Sequence, residues 1–378
     1  MNWTSLEQVE SAAGAQCAEF AGARLPRVFS SVETECRAVR DSAGLLDARN
    51  RSVLSLVGND RVSFLQGMAT NNVAALAVGD GCYAALLTIQ GRIVSDLYVL
   101  ALDNRLLLDV PASRADAVRV ALDRLIIADD VEFEADAIQP LVSIEGPRAP
   151  ALLSVVAGAP VDELQAFQHR EITVDGIALR CVAISQTGEL GFRLLGESQH
   201  AATLWERVRH AGAAPVGLDA LNVLRLEAGI AWHGVDMDED TLVMEVGLDD
   251  AISFNKGCYL GQEVVERVAA RGHVNRKLCG LLVTGSVVPP AQTALTHDNT
   301  DVGHITSAAY SPTLGKIIGL GYVHRNAWEI GTELRARTND AEITITVSDR
   351  PAWRSTTAVK VQREEANHGK PTGQTVPL

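Results

Sequence analysis

Lys256-Gly257-Cys258-Tyr259-Leu260-Gly261-Gln262-Glu263 is the string in this chain whose residue types and spacing most directly suggest chemistry. Glycines on both sides of the cysteine allow a tight turn, and from Gln262 onward the pattern is helical, with Glu263 and Arg267 four apart. A thiol just before a helix and two residues from Lys256 feels positive potential that favours thiolate, the nucleophilic and metal-binding form. Composition alone makes Cys258 a small buried packing residue.

Other chemistries are excluded by spacing. Asp236, Asp238 and Asp240 alternate as in a calcium loop, but Thr241 stands where that loop needs glycine and Gly247 where it needs glutamate. The nine histidines are scattered without a helical pair spaced for zinc, so no metal site is expected. No glycine-rich phosphate loop and no nucleophile elbow occurs.

A chain of 378 residues that must position these groups is long enough for two or three domains. RSVLSLVG reads as a strand, DRVSFLQGMATNNV as a helix and loop, GCYAALLTIQGRIVSDLYVLALDNRLLLDV as strands with turns at Gln90-Gly91 and Asp103-Asn104, and SRADAVRVALDRLII as a helix. The mixture recurs from 141 to 255. In GLDALNVLRLEAG, Asp219 is the expected N-cap, Leu218, Leu221, Leu224 and Ala228 form an apolar face, and Gly229 stops the helix. After about 275 the character turns to β, as in a small barrel or sandwich.

The formal charge of -14 opposes binding to nucleic acid or anionic lipid, because the field of the whole molecule repels both. No apolar run approaches the roughly 20 residues that span a bilayer, and the N-terminus does not read as a secretory signal. The six cysteines lie far apart, which fits a reducing, cytoplasmic setting.

The Lys256–Glu263 string resembles the signature of YgfZ-type folate-binding proteins. FLQGMATNNV (64–73), QGRIVSDLYV (90–99), QTGELGF (186–192), LRLEAGIAWHGVDMDED (224–240) and ITSAAYSPTLGKIIGLGYV (305–323) resemble, in order, segments of the glycine-cleavage T-protein superfamily. The resemblance implies an α+β fold: two α/β lobes plus a C-terminal β-barrel around a central folate cavity. Residues 1–50 with 138–272 are expected to form a discontinuous first lobe, 51–137 the second, 273–363 the barrel and 364–378 a mobile tail.

The cofactor implied is tetrahydrofolate or a derivative. By resemblance, Glu189 in the Thr187-Gly188-Glu189 turn reads the pterin, a carboxylate accepting two parallel hydrogen bonds from its N–H groups. Arg225 neighbours the folate, and Lys256 and Tyr259 are further cofactor-binding residues. Asp96 matches the carboxylate that T-protein relatives hold near the reactive pterin nitrogen, where it acts electrostatically or accepts a proton. Ser95 replaces the first of the usual paired acids. The YgfZ resemblance implies a folate-binding protein that supports iron–sulfur cluster assembly or repair in client proteins, with Cys258 as a working residue. The alternative is a tetrahydrofolate-dependent one-carbon transferase, an aminomethyltransferase or demethylase, using Asp96. A third reading is a partner-binding scaffold with a vestigial pocket.

Overall fold

The computed structural model describes residues 4–135, 138–161, 163–272, 274–337 and 342–352. The expected tail and the end of the expected barrel lie outside the described residues.

RSVLSLV forms strand Arg51–Val57 of a five-stranded antiparallel sheet, in the order Gly81–Leu87, Ile93–Ala101, Leu106–Pro111, Arg51–Val57, Glu132–Glu134. Side chains alternate along a strand. Leu97, Val99 and Ala101 therefore pack with Phe64 and Leu65 of helix Arg61–Met68 and Val118 and Leu122 of helix Ala115–Asp123. Asp96, Tyr98 and Leu100 face the other way, where Leu100 meets Val182 and Leu195 of a second sheet and Ile184 just beyond its strand.

That second sheet has six strands in the order His169–Val174, Ile177–Val182, Gly191–Glu197, Ile138–Glu145, Gly44–Asp47, Ala214–Val216. Gly44–Asp47 pairs directly with Ile138–Glu145, so the five-stranded unit is inserted between two neighbouring strands of this sheet. The inter-lobe face consequently holds residues from both sheets, including the charged ones described below. Its opposite face is covered by helices Ala149–Ala157 and Ala201–His210 around the fully buried Trp205.

Helix Leu218–Glu227 connects the second sheet to the C-terminal unit. The expectation that Asp219 caps it is corrected: Gly217 holds the cap position, and a Cβ there would lie 2.3 Å from the Arg27 carbonyl oxygen. Asp219 sits in the first turn and accepts from Arg27 Nε at 2.8 Å. Strands from Arg276–Val283 to Glu342–Ser348 close a six-stranded barrel with its own aliphatic core. Among the described residues no helix is long and apolar enough to cross a membrane.

His169, at the start of the outer strand of the six-stranded sheet, is buried with Nδ1 3.0 Å from Arg180 Nη1. The guanidinium can only donate, so the imidazole accepts there and is neutral. Burial, reinforced by Arg180 and opposed by Asp80 and nearby carbonyls, pulls the pKa down to about 4. Because the folded pKa lies below the unfolded value of about 6.5, the unfolded chain binds more protons between them. This group's contribution is present above pH 6.5 and is lost as pH falls toward 4. Urea titrations should show about 2 kcal/mol less stability from this source at pH 4.5 than at pH 7, and His169→Gln should flatten that part of the profile.

Candidate active site

A cavity of about 400 Å³ opens where the two sheets meet residues 229–231 and 247–250. Tyr83, Tyr98 and Phe167 supply aromatic wall, and Ser185, Glu189 and Arg350 supply polar groups. The size and this mixture of apolar wall with a few polar groups suit a heteroaromatic ring system.

Glu189 is held at the cavity by two layers of structure. Glu145, fully buried at the end of its strand, accepts from the backbone N–H of Gln186 at 3.0 Å, that of Thr187 at 3.0 Å, Thr187 Oγ1 at 2.6 Å and Ser185 Oγ at 3.2 Å. These bonds fix the turn at residues 185–189. Gly188 adopts φ 78° there, and a Cβ would stand 2.8 Å from the Ala228 Cβ, so only glycine fits. The Glu189 carboxylate then takes a hydrogen bond from Arg40 Nη1 at 3.0 Å. Arg40 also bridges to Glu227 at 2.5 Å, and Glu227 accepts from Ser311 Oγ of the barrel at 2.5 Å. The six-stranded lobe with its helices and the barrel thus both contribute to orienting one carboxylate.

Asp96 lies on the same sheet face as Tyr83 and Tyr98: Tyr83 pairs across the strands with Tyr98, and Ala85 with Asp96. Its Oδ2 accepts from Arg51 Nη1 at 3.1 Å. Its Oδ1 is buried with no hydrogen-bond partner among the described residues. Burial pushes the Tyr83 phenol well up, and the Asp96 carboxylate adds to the effect, which places that carboxylate beside a ring of the cavity wall. Ser95 points to the opposite face, its hydroxyl donating to the Asp96 carbonyl at 2.8 Å.

Of the sequence-derived candidates only Glu189 is among the residues lining the cavity; Asp96 sits behind the wall tyrosines on their sheet face, and the others lie elsewhere. Arg225 is fully buried, ion-paired to Asp236 and 4.8 Å from the Trp232 ring. Asp236 is in turn held by Thr306 at 2.6 Å and Ser307 at 2.5 Å, so this pair joins helix Leu218–Glu227 to the barrel. Lys256 Nζ donates to the carbonyls of Gln66, Ala69 and, at 3.0 Å, Asn71. Those oxygens lie at and just beyond the C-terminus of helix Arg61–Met68, where unpaired carbonyls and the helix dipole both favour a cation. Burial pulls the Lys256 pKa down to about 8, which still leaves it protonated at neutral pH. Tyr259 is buried with its ring 5.0 Å from that ammonium, and Cys258 is exposed on the outside of the loop.

The string is therefore a clamp between the inserted lobe and helix Gln262–Arg271. Lys256→Met should lower stability by about 2–3 kcal/mol in denaturant titrations, because buried carbonyls lose a charged donor. Tetrahydrofolate affinity should stay unchanged. The opposite result, full stability with lost affinity, would return Lys256 to a binding role.

Arg40, Arg51, Glu145 and Arg350 were not apparent as site residues from sequence. Arg350 reaches the cavity from just beyond the last barrel strand, with Nε donating to the Gly229 carbonyl at 2.7 Å and Nη1 to that of Val246 at 2.5 Å.

Comparison with known proteins adds a family context. A family model described as the GCVT N-terminal domain matches residues 6–256, and one described as the glycine cleavage T-protein C-terminal barrel domain matches residues 276–353. The aminomethyltransferase of Thermosynechococcus vestitus is 31% identical over 341 residues, which covers 90% of this chain and 93% of the relative. That of Prochlorococcus marinus is 31% identical over 365 residues, covering 93% and 97%. The crystal structure of the glycine cleavage system aminomethyltransferase T from Bartonella henselae is similar with TM-score 0.86 and 27% identity, covering 93% of this chain and 98% of that one.

These findings overturn the expectation of an accessory protein for iron–sulfur cluster assembly. The relatives that match along nearly the whole chain are named for aminomethyl transfer. The string that pointed to cluster assembly has its lysine turned onto a helix end and its cysteine outside the cavity lining.

Proposed function

The chain belongs to the glycine-cleavage T-protein family, whose members use tetrahydrofolate, and from that premise we propose that it is a tetrahydrofolate-dependent aminomethyltransferase with Glu189 reading the pterin and Asp96 serving the transfer. The carrying observation is the buried, unpartnered Oδ1 of Asp96 beside the aromatic wall of a cavity that also presents Glu189. An unpaired carboxylate oxygen out of water is costly unless a ligand completes it.

The residues present fit the cofactor. Tyr83, Tyr98 and Phe167 provide faces for a flat ring, Glu189 provides acceptors for its N–H edge, and Arg350 provides a cation at the cavity for a carboxylate. Reduced folate, when bound, would supply two nucleophilic nitrogens to receive a methylene carbon from an aminomethyl donor, whose nitrogen would leave as ammonia and whose sulfur as a thiol, with the protons those nitrogens give up. Asp96 Oδ1 offers an anionic acceptor for an N–H whose proton is lost, and stabilises the positive charge that grows on carbon or nitrogen as the donor's bond breaks. Glu189, held by Arg40, would hold the edge of the ring and so fix its orientation relative to Asp96. The similarity to the YgfZ branch rests on the Lys256–Glu263 string, which this reading uses as a structural clamp.

The test is ammonia release from an S-aminomethyl thiol donor. Release that depends on both protein and tetrahydrofolate supports the proposal, and release indifferent to tetrahydrofolate removes it.

A further inference from the structure

Arg51, Asp109 and Arg193 form a buried chain of alternating charge that ends on Asp96. Arg51 Nη1 donates to Asp96 Oδ2 at 3.1 Å, and its Nε donates to Asp109 Oδ1 at 2.7 Å. Its Nη2 donates to the Asp109 carbonyl, also at 2.7 Å. Asp109 Oδ2 is held by Arg193 Nη1 from the facing sheet. Arg51 and Arg193 both lie against the Tyr98 ring, 5.1 and 5.8 Å from its centroid. Asp109 and Arg193 are fully buried.

The pairing is asymmetric at Asp96. One oxygen is taken by the guanidinium and the other has no partner. The donors on Arg51 are all directed, since a guanidinium is a rigid planar fork and two of its nitrogens are pinned by the side chain and backbone of Asp109. The third nitrogen can therefore approach Asp96 from one direction only. Inter-lobe contact through Arg193 extends this rigidity across both sheets.

We propose that Arg51, locked by Asp109 and Arg193, is the positioning residue that holds the Asp96 carboxylate with Oδ2 engaged and Oδ1 presented to the cofactor's reacting nitrogen. This inference rests on the assignment of Asp96 to the transfer and goes beyond it by naming what orients that carboxylate. Arg51 is not among the residues lining the cavity, so on this proposal it acts on turnover through Asp96 and leaves cofactor affinity to Glu189 and the aromatic wall.

Arg51→Lys keeps the charge but replaces the fork with a point donor that cannot serve Asp96 and both Asp109 oxygens together. The experiment compares wild type, Arg51→Lys and Asp96→Asn for melting temperature, tetrahydrofolate Kd by calorimetry and kcat for transfer from an S-aminomethyl thiol. The expected result for Arg51→Lys is a Kd within about threefold of wild type and a kcat at least about twentyfold lower, a split that general loosening of the core does not produce. A folded Arg51→Lys protein with kcat within about threefold of wild type, beside an inactive Asp96→Asn, overturns the inference and leaves the transferase reading standing. Wild-type protein without transfer overturns both. If the lysine variant does not fold, Asp109→Asn carries the same test: lowered kcat at constant Kd supports the chain, and unchanged kcat overturns it.

Discussion

Asp96→Asn is expected to lower kcat for one-carbon transfer by about 10²- to 10⁴-fold, the range over which a positioned acid–base or charged group contributes to a rate. The amide has nearly the same volume, so the Arg51 contact at Oδ2 and the fit beside Tyr83 persist. What is lost is the negative charge at Oδ1 and the capacity to accept a proton there. Tetrahydrofolate Kd should change by no more than about threefold, because an interaction made in the transition state alone alters kcat without altering ground-state binding. Single-turnover transfer at saturating cofactor, together with calorimetry, separates the two quantities. A variant that turns over normally would remove Asp96 from the chemistry.

Glu189→Ala should show the complementary pattern. Charge-assisted hydrogen bonds to a pterin edge contribute about 1.5–3 kcal/mol, so tetrahydrofolate affinity should fall by about 10- to 150-fold. Arg40 remains paired with Glu227 in this variant, which limits the cost to folding. Measuring the melting temperature beside the calorimetric Kd separates lost recognition from lost structure. Affinity equal to wild type in a folded Glu189→Ala protein would move pterin reading to another group.

Local pattern made much of this architecture readable before the structure. The alternation in GRIVSDLYV is enough to put Asp96 and Tyr98 on one face of a strand, and the β-rich segments after residue 275 form a closed barrel. Partner choice is what local pattern does not carry. Arg51 finds Asp109 across 58 residues, and Arg40 finds Glu189 and Glu227 across 149 and 187.

The visible trace of these networks is an acid inside an apolar strand: Asp109 in LLLDVP and Glu145 closing IQPLVSIE. A buried carboxylate demands donors, and those two positions mark where the networks lie. Lys256-Gly257-Cys258 pointed elsewhere because the same residue types suit both a reactive thiol and a tight clamp. Lys256 Nζ is directed onto the carbonyls of Gln66, Ala69 and Asn71, which supports the clamp for the lysine. Arg225 shows the same limit, since a helix-rim arginine reads alike whether it faces a ligand or Asp236.

The most direct test follows the carbon itself. Wild-type protein is mixed with tetrahydrofolate and an S-aminomethyl thiol labelled with ¹³C at the methylene, and carbon NMR follows the label. The account predicts that the methylene signal moves from the sulfur- and nitrogen-bound donor to a carbon bound to two folate nitrogens, in step with ammonia release and only while protein is present. Tetrahydrofolate that binds in the cavity while the label stays on the donor would contradict it.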